Sequence, residues 1–381
     1  MKLKDLIESS NTGLDAIRRA PIVEYDTGIR CLRIGDISNN RPFNEWGYTE
    51  VEDNNYNKFQ LKKGDIIVAR TGATIGVNKY IDKEYKSVYN NGLIRIRVKK
   101  ENNPRYVYYL LQSNNYKDFI KTISMGTSTQ PNMQMNDLLN LEVPNFDRDK
   151  QDKIVNLLGS IDKKIELNYE INNKLRELCK NNYLGLIEKN CYKVSLSELM
   201  DYQGGSQPPA SEFQKEKHED NIRFVQIRDF EKDSYVCYIP NSTKNKLCNK
   251  DDILIARYGA SLGRICYGLS GAYNVALAKV IPKKEEYKEL LRVILESDDF
   301  YNYINQVGQR SAQAGFNAGD IAGYTAIIPD ENGLKEFNGI SKSVIDKRLL
   351  IVEENRKLLE LRDTLLPKLM NSEINLDNIA I

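Results

Sequence analysis

Two stretches of this chain carry the same chemically capable side chains in the same spacing. Lys62-Lys63-Gly64-Asp65-Ile66-Ile67-Val68-Ala69-Arg70-Thr71-Gly72-Ala73-Thr74-Ile75-Gly76 returns as Asn249-Lys250-Asp251-Asp252-Ile253-Leu254-Ile255-Ala256-Arg257-Tyr258-Gly259-Ala260-Ser261-Leu262-Gly263, with Asp, Ala-Arg and both glycines matched at a constant offset of 187. An arginine that ends an apolar run and opens a glycine bend supplies hydrogen-bond donors, suited to guanine O6 and N7 or to a phosphate. The same arginine could instead pair with Asp65 or Asp252 inside its own repeat. Around it the two copies diverge: Thr71 stands against Tyr258, Thr74 against Ser261, and Asn78 and Lys79 against Ile265 and Cys266. Two polar loops add amide and guanidinium groups that fit base edges, Gly126–Asn132 with Thr127, Gln130 and Asn132, and Gly308–Asn317 with Gln309, Arg310 and Gln313. Gln130 and Gln313 could equally cap local backbone. Basic clusters lie nearby, Arg95, Arg97, Lys99 and Lys100 in the first half and Arg257 and Arg264 in the second.

Bond-breaking chemistry lacks its usual residues. The one histidine, His218, sits in the charged run Lys215–Asp220, which reads as a solvated loop. Hydrolytic triads and His-ligated metal sites therefore lose their ordinary base and ligand. The six cysteines (Cys31, Cys179, Cys191, Cys237, Cys248, Cys266) form no CxxC pair and are expected to be buried small hydrophobes. No phosphate-binding GxxxxGK[ST] loop, no GxGxxG, no Gly-x-Ser-x-Gly and no Asn-Pro-Pro-aromatic methyltransferase motif is present. A non-catalytic chain without its own cofactor or metal is expected.

The elements that hold these residues repeat as well. Leu32–Ile37 matches Val225–Phe230, and Tyr89-Asn90 matches Tyr273-Asn274. Asp65–Arg70 and its copy read as short β-branched strands entered through a turn and left at a glycine bend. Gly92–Val98 alternates apolar and basic residues, the period of a half-buried strand. Tyr106–Leu111 and Leu290–Leu295 read as helices on that sheet, and each repeat closes on an apolar strand ending in Pro144 or Pro329. Beyond each proline runs a long unpunctuated stretch. Ile154, Leu158, Ile161, Ile165 and Leu175 form a heptad seam with Asn168 and Asn172 as polar members, and Ile345, Leu349, Val352, Leu359 and Leu366 form a second. Two such seams point to helices that pair with each other, with polar members that fix register; the alternative is an amphipathic helix lying on its own domain. Ile161–Lys164 matches Ile345–Arg348 and Leu175–Glu177 matches Leu361–Asp363, at offsets two residues apart.

The expected fold is α+β: two similar mixed α/β domains separated by two long antiparallel coiled-coil helices, a pseudo-two-fold duplication. The expected boundaries are 1–146 and 188–330 for the globular domains, and 147–187 and 331–381 for the helices. Composition fits a folded soluble chain, 41% hydrophobic and 28% charged with a formal charge of +2 over 381 residues. No apolar run reaches the roughly 18 residues of a membrane helix, and a cytoplasmic protein without a membrane partner is expected. Residues 1–146 carry 21 basic and 17 acidic side chains and residues 188–330 carry 18 and 20, so neither half attracts phosphate strongly by bulk charge. A pseudo-dimer of this kind suits a two-part partner, of which duplex DNA with two half-sites is one and a protein bound by a duplicated, non-catalytic scaffold is another.

Taken together, Asn11–Ala20, the two Asp-Ile-(Ile/Leu)-(Val/Ile)-Ala-Arg-x-Gly-Ala-x-(Ile/Leu)-Gly segments, Gly126–Asn132 and the ending Leu361–Met370 resemble the specificity subunit of type I restriction-modification systems. The resemblance spans the whole chain in the family's order of target-recognition domain, conserved helix, second target-recognition domain and second conserved helix. It implies that each recognition domain reads one half of a bipartite double-stranded DNA target. It also implies that the helices set the unread spacer and dock two methyltransferase (modification) subunits, with restriction/motor subunits joining in the full complex. S-adenosylmethionine would then be bound by the methyltransferase partner, whose DNA methylation targets adenine. The DNA-binding residues expected on this basis are Arg70, Thr71, Thr74, Asn78, Lys79, Thr127, Gln130, Asn132, Arg257, Tyr258, Ser261, Arg264, Gln309, Arg310 and Gln313.

Overall fold

The computed structural model describes residues 1–125, 132–230, 235–308 and 315–376. Its contacts divide the chain into two compact units, Met1–Lys164 with Leu359–Ile381, and Ile165–Leu358. Two helices of 40 residues each, Arg148–Ile187 and Glu331–Met370, contribute to both units.

In the first unit a central antiparallel sheet runs in the order Ile7–Thr12, Leu93–Val98, Ile66–Ala69, Asn78–Tyr80. Alternation along the strands sends side chains to two different cores, as strand geometry requires. Ile66, Val68, Ile94 and Ile96 pack with Tyr106, Val107 and Leu110 of the helix Pro104–Leu110. Ile67, Ala69 and Leu93 pack with Cys31, Leu32, Trp46, Val88 and Tyr89, which belong to or adjoin a second sheet. That sheet has the order Ile22–Val23, Gly47–Thr49, Arg30–Leu32, Ser87–Tyr89, the last two strands parallel. The sheet is thus covered on both faces, which corrects the half-buried reading of Gly92–Val98. Arg95 is only 4% exposed, and donates to the carbonyls of Lys58 and Gln60.

The second unit repeats the plan. Its central sheet runs Met200–Gly204, Leu277–Pro282, Leu254–Ala256, Ile265–Cys266, again antiparallel. Ile253, Ile255, Ala278 and Val280 face the helix Lys288–Leu295, while Leu254 and Leu277 face Val225, Cys248 and Tyr273. A second sheet again contains one parallel pair, Phe224-Val225 beside Ala272-Tyr273. Its outer strands, Cys237–Pro240 and Leu247–Cys248, frame that pair differently from those of the first unit. A closing strand also recurs: Cys191–Ser195 pairs with Thr325–Pro329, and in the first unit Leu3 and Val143 donate to the carbonyls of Leu141 and Met1.

One matched pair of contacts accounts for Asn11 and Gly13 of the Asn11–Ala20 segment. Tyr89 donates through its hydroxyl to Asn11 Oδ1 at 2.6 Å, and Tyr273 donates to the Gln203 carbonyl at 3.0 Å. The next turn passes so close to the neighbouring chain that a Cβ on Gly13 or Gly205 would lie 2.3 or 2.1 Å from a backbone oxygen. No side chain fits there.

Each unit shows part of the helix pair. In the first, Ile154 and Leu158 pack with Leu366, Leu369 and Met370, and Arg362 bonds Asp162 at 3.3 Å. Ile154 and Leu158 share that cluster with Tyr106 and Val107, so the seam serves both the partner helix and the globular core. In the second unit Asn168 donates to Asn355 Oδ1 at 2.8 Å and to Glu354 at 2.7 Å, and Asn172 accepts from Arg348 Nε at 3.0 Å. Advancing along one helix means receding along the other, so the helices are antiparallel there. Asn168 and Asn355 are buried, and a slip would leave their amides unpaired at a cost of about 1–3 kcal/mol each. Polar seam positions therefore set register, as their chemistry suggests.

Candidate nucleic-acid interface

The candidate site begins where the most buried strand of each central sheet ends. Ile66–Ala69 and Leu254–Ala256 are wholly buried, and each leads directly into a partly exposed arginine, Arg70 or Arg257. The chain then turns through two glycines with φ values that L side chains rarely adopt, 81° and 87° at Gly72 and Gly76, 71° and 81° at Gly259 and Gly263. Gly76 and Gly263 donate back to the carbonyls of Ala69 and Ala256 at 2.8 and 2.9 Å. Ile75 and Leu262 anchor the bends in the core. The exposed tips are thereby carried on the same frame twice.

The polar loops join this frame. Thr71 bridges Asn132 and Tyr258 bridges Gly315, both antiparallel, and Met133 donates to the Arg70 carbonyl at 2.8 Å. Arg70 donates through Nη2 to Asn132 Oδ1 at 3.1 Å. Arg257 lies among three rings, with its guanidinium carbon 5.0 Å from the Tyr258 centroid and 5.9 Å from those of Tyr202 and Phe316. Sequence reasoning misses Tyr202 and Phe316. Their one accessible signal is the match of Gln203-Gly204-Gly205 to Asn11-Thr12-Gly13, which places Tyr202 on the strand bordering the site.

Two expectations are corrected. Arg70 and Arg257 do not pair with Asp65 and Asp252. Asp65 instead receives Arg97 Nε at 2.8 Å and Nη2 at 3.2 Å, and Asp252 receives Lys279 at 2.9 Å. Both carboxylates also accept a turn N–H at 2.8 Å, from Lys62 and Asn249. With the carboxylates occupied, Arg70 turns to Asn132 and Arg257 to the Tyr202, Tyr258 and Phe316 rings. The second correction concerns the basic cluster of the first half. Arg95 and Arg97 are spent on Lys58, Gln60 and Asp65 within the fold and present no charge to a ligand.

The remaining candidates divide as follows. Asn132 and Tyr258 are exposed, while Thr71, Thr74, Ser261 and Arg264 are half-buried on the bends. Asn78 is spent internally: it donates to the carbonyls of Gly76 and Leu111 at 3.1 and 2.8 Å and accepts from Gln112. Lys79 donates to Asn40 at 3.4 Å, and burial pulls its ammonium pKa below the usual lysine value despite the opposing pull of Asp82. Thr127, Gln130, Gln309, Arg310 and Gln313 lie outside the described residues. Among the described residues no group of three or more His, Cys, Asp or Glu could hold a metal ion, and no helix is long and apolar enough to cross a membrane. Cys191 is exposed and Cys237 partly so, unlike the other four cysteines, which are buried as expected.

This geometry offers donors and acceptors on two copies of one hydrogen-bonded frame. Comparison with known proteins agrees. Residues 1–177 match the family model described as the type I restriction modification DNA specificity domain. The HindI specificity subunit of Haemophilus influenzae is 21% identical over 435 residues, covering 90% of this chain and 94% of the relative. The MjaIX specificity subunit of Methanocaldococcus jannaschii is 23% identical over 311 residues, covering 72% of this chain and 70% of the relative. Among solved structures, the S subunit of a type I restriction-modification system from M. genitalium shares the fold at a TM-score of 0.56 and 17% identity, covering 97% of this chain and 95% of that one.

Proposed function

We propose that this chain is a specificity subunit of a type I restriction-modification system, non-catalytic itself, whose two recognition domains read the two halves of one bipartite duplex DNA target. The observation that carries this reading is the pairing of sameness and difference at the site. Strand, bend and glycines repeat at a fixed offset, while the side chains on the bends differ, Thr71 against Tyr258 and Thr74 against Ser261. A common frame with unlike tips reads unlike sequences. Near-neutral charge fits a subunit whose affinity is completed by partners.

The helices are the spacer and the docking surface for two modification subunits in this reading. Leu167, Ile171 and Leu178 of the first long helix are 44%, 43% and 49% exposed and fall within about 40° of one another around the helix. An apolar stripe apart from the buried Ile165, Asn168 and Cys179 supports a protein partner there. The S-adenosylmethionine chemistry resides in those modification subunits, restriction/motor subunits join the full complex, and the assembly works in the cytoplasm.

The spacer role is tested by inserting seven residues into each helix, after Lys163 and after Lys357, which preserves both heptad seams and the Asn168–Asn355 pair. Seven residues add about 10 Å at about 1.5 Å each, or about three base pairs at about 3.4 Å. With a library of gapped duplexes and the complex reconstituted with its modification subunits, the methylated gap is expected to lengthen by about three base pairs with both half-sites unchanged. Altered half-sites at a constant gap would contradict the spacer role.

A further inference from the structure

We propose that Arg70 and Arg257 are sequence-independent clamps on the DNA backbone, one for each half-site, each holding a phosphodiester while its neighbours read bases. The proposal rests on the reading of the chain as a two-part DNA reader. Its starting point is identity: of the side chains on the two bends, the arginine is the one large polar group that both domains share. The phosphate is what two unlike half-sites share, whereas a base pair is not. A shared guanidinium therefore fits the shared part of the ligand.

The local chemistry agrees. The carboxylates nearest in sequence are occupied by Arg97 and Lys279, and neither Arg70 nor Arg257 has an ion-pair partner among the described residues. Each has a buried Nε with no hydrogen-bond partner among the described residues. Reading guanine asks for two free parallel donors. Asn132 takes one Nη2 hydrogen of Arg70 and its Nε is buried, so a protein partner fixes the fork while the remaining Nη hydrogens and the full positive charge stay available. Arg257 is held between the Tyr202, Tyr258 and Phe316 rings, and Gly204 makes its space, since a Cβ there would lie 2.9 Å from Arg257 Nη1. Both arginines are positioned by neighbours of different chemistry, an amide in one domain and aromatic rings in the other. Such different supports converge on one presented group, a fixed cation beside Asn132 in one domain and beside Tyr258 and Phe316 in the other.

The test uses Arg70→Ala, Arg257→Ala and the corresponding Lys variants in the complex reconstituted with its modification subunits. Affinity is measured across salt concentration for the methylated target sequence and for single-base variants of both half-sites. Each Ala variant is expected to weaken every sequence about tenfold, to keep the ranking of base variants, and to lower the salt slope by about one unit. Each Lys variant, which keeps the charge, is expected to restore the slope. A loss confined to one base pair would make the arginine a base reader and overturn the clamp. A loss that tracks melting temperature and is not rescued by Lys would make it a fold residue and also overturn it. Unchanged affinity and slope in a complex that still binds its bipartite target would end the clamp alone. Failure of the unsubstituted complex to prefer any bipartite duplex would end the underlying reading.

Discussion

Arg348→Ala is expected to destabilise the second unit by about 3 kcal/mol while leaving the first unit's core nearly unchanged. Arg348 is buried in the second long helix and gathers three groups: Glu296 by paired bonds of 3.1 and 3.3 Å, Asn172 at 3.0 Å, and the Tyr267 hydroxyl. Burial opposes its charge, yet Glu296 and Tyr267 more than compensate and hold its pKa above the usual arginine value. Removing one member of such a buried pair leaves the other uncompensated, which costs about 3–5 kcal/mol. The lower figure applies because Arg176 also approaches Glu296 at 3.5 Å from a half-exposed position. Replacing the pair together, Arg348→Met with Glu296→Leu, should cost less than the single change, since apolar groups of similar volume leave no orphaned charge. The single tryptophan makes the effect local to observe. Trp46 is buried in the first unit, so its fluorescence should keep its urea midpoint while part of the circular-dichroism transition moves to lower urea. A single mutant no less stable than the parent would show that this knot is not what holds the helix to the second domain.

Exchange of residues 1–146 for the matching domain of a related subunit is expected to replace one half-site entirely and leave the other intact. The two central sheets have separate cores and share no strand, so each domain carries its own frame. The exchange succeeds only if the new domain keeps the seat for the helices. Tyr106 and Val107 pack with Ile154, Leu158 and Leu366, and Tyr109 donates to Asp162 at 2.6 Å. A donor domain lacking these apolar and hydroxyl contacts should misassemble before it misreads. Each mismatched base pair costs about 1–3 kcal/mol, so a half-site of only two read pairs would switch preference by about 30- to 25,000-fold. Affinity for duplexes carrying old and new half-sites measures this. Simultaneous loss at both halves would mean that the domains do not read independently.

How much of this was legible in the sequence depended on how local the cause was. The repeated strand and bend were plain because buried β-branched residues and positive-φ glycines leave few substitutes, and both copies show them. The polar seam at Asn168 was legible for a similar reason, since an amide in an apolar heptad needs a partner. The partner of Asp65 was not. Ile66 pairs with Ile96, so the next step of the ladder sets Asp65 opposite Arg97, 32 residues away, and this register cannot be read from either segment alone. Asp252 finds Lys279 diagonally across an equivalent ladder, so the two repeats solve one electrostatic problem with different residues. Arg95 misled for another reason. Its alternation is that of a half-buried strand, but a second sheet from distant residues covers its face. At the site, the arginines and Asn132 could be named in advance, whereas the ring cage of Arg257 required Tyr202, Tyr258 and Phe316 to meet from three separate segments.

The most direct measurement is to map adenine methylation across the genome of a host that carries this chain with the modification subunits proposed for it, beside the same host lacking the chain. The expected result is one asymmetric motif of two short specific parts around an unread gap of fixed length, present with the chain and absent without it. A continuous motif, or methylation that is the same in both hosts, would contradict the assignment of one half-site to each domain.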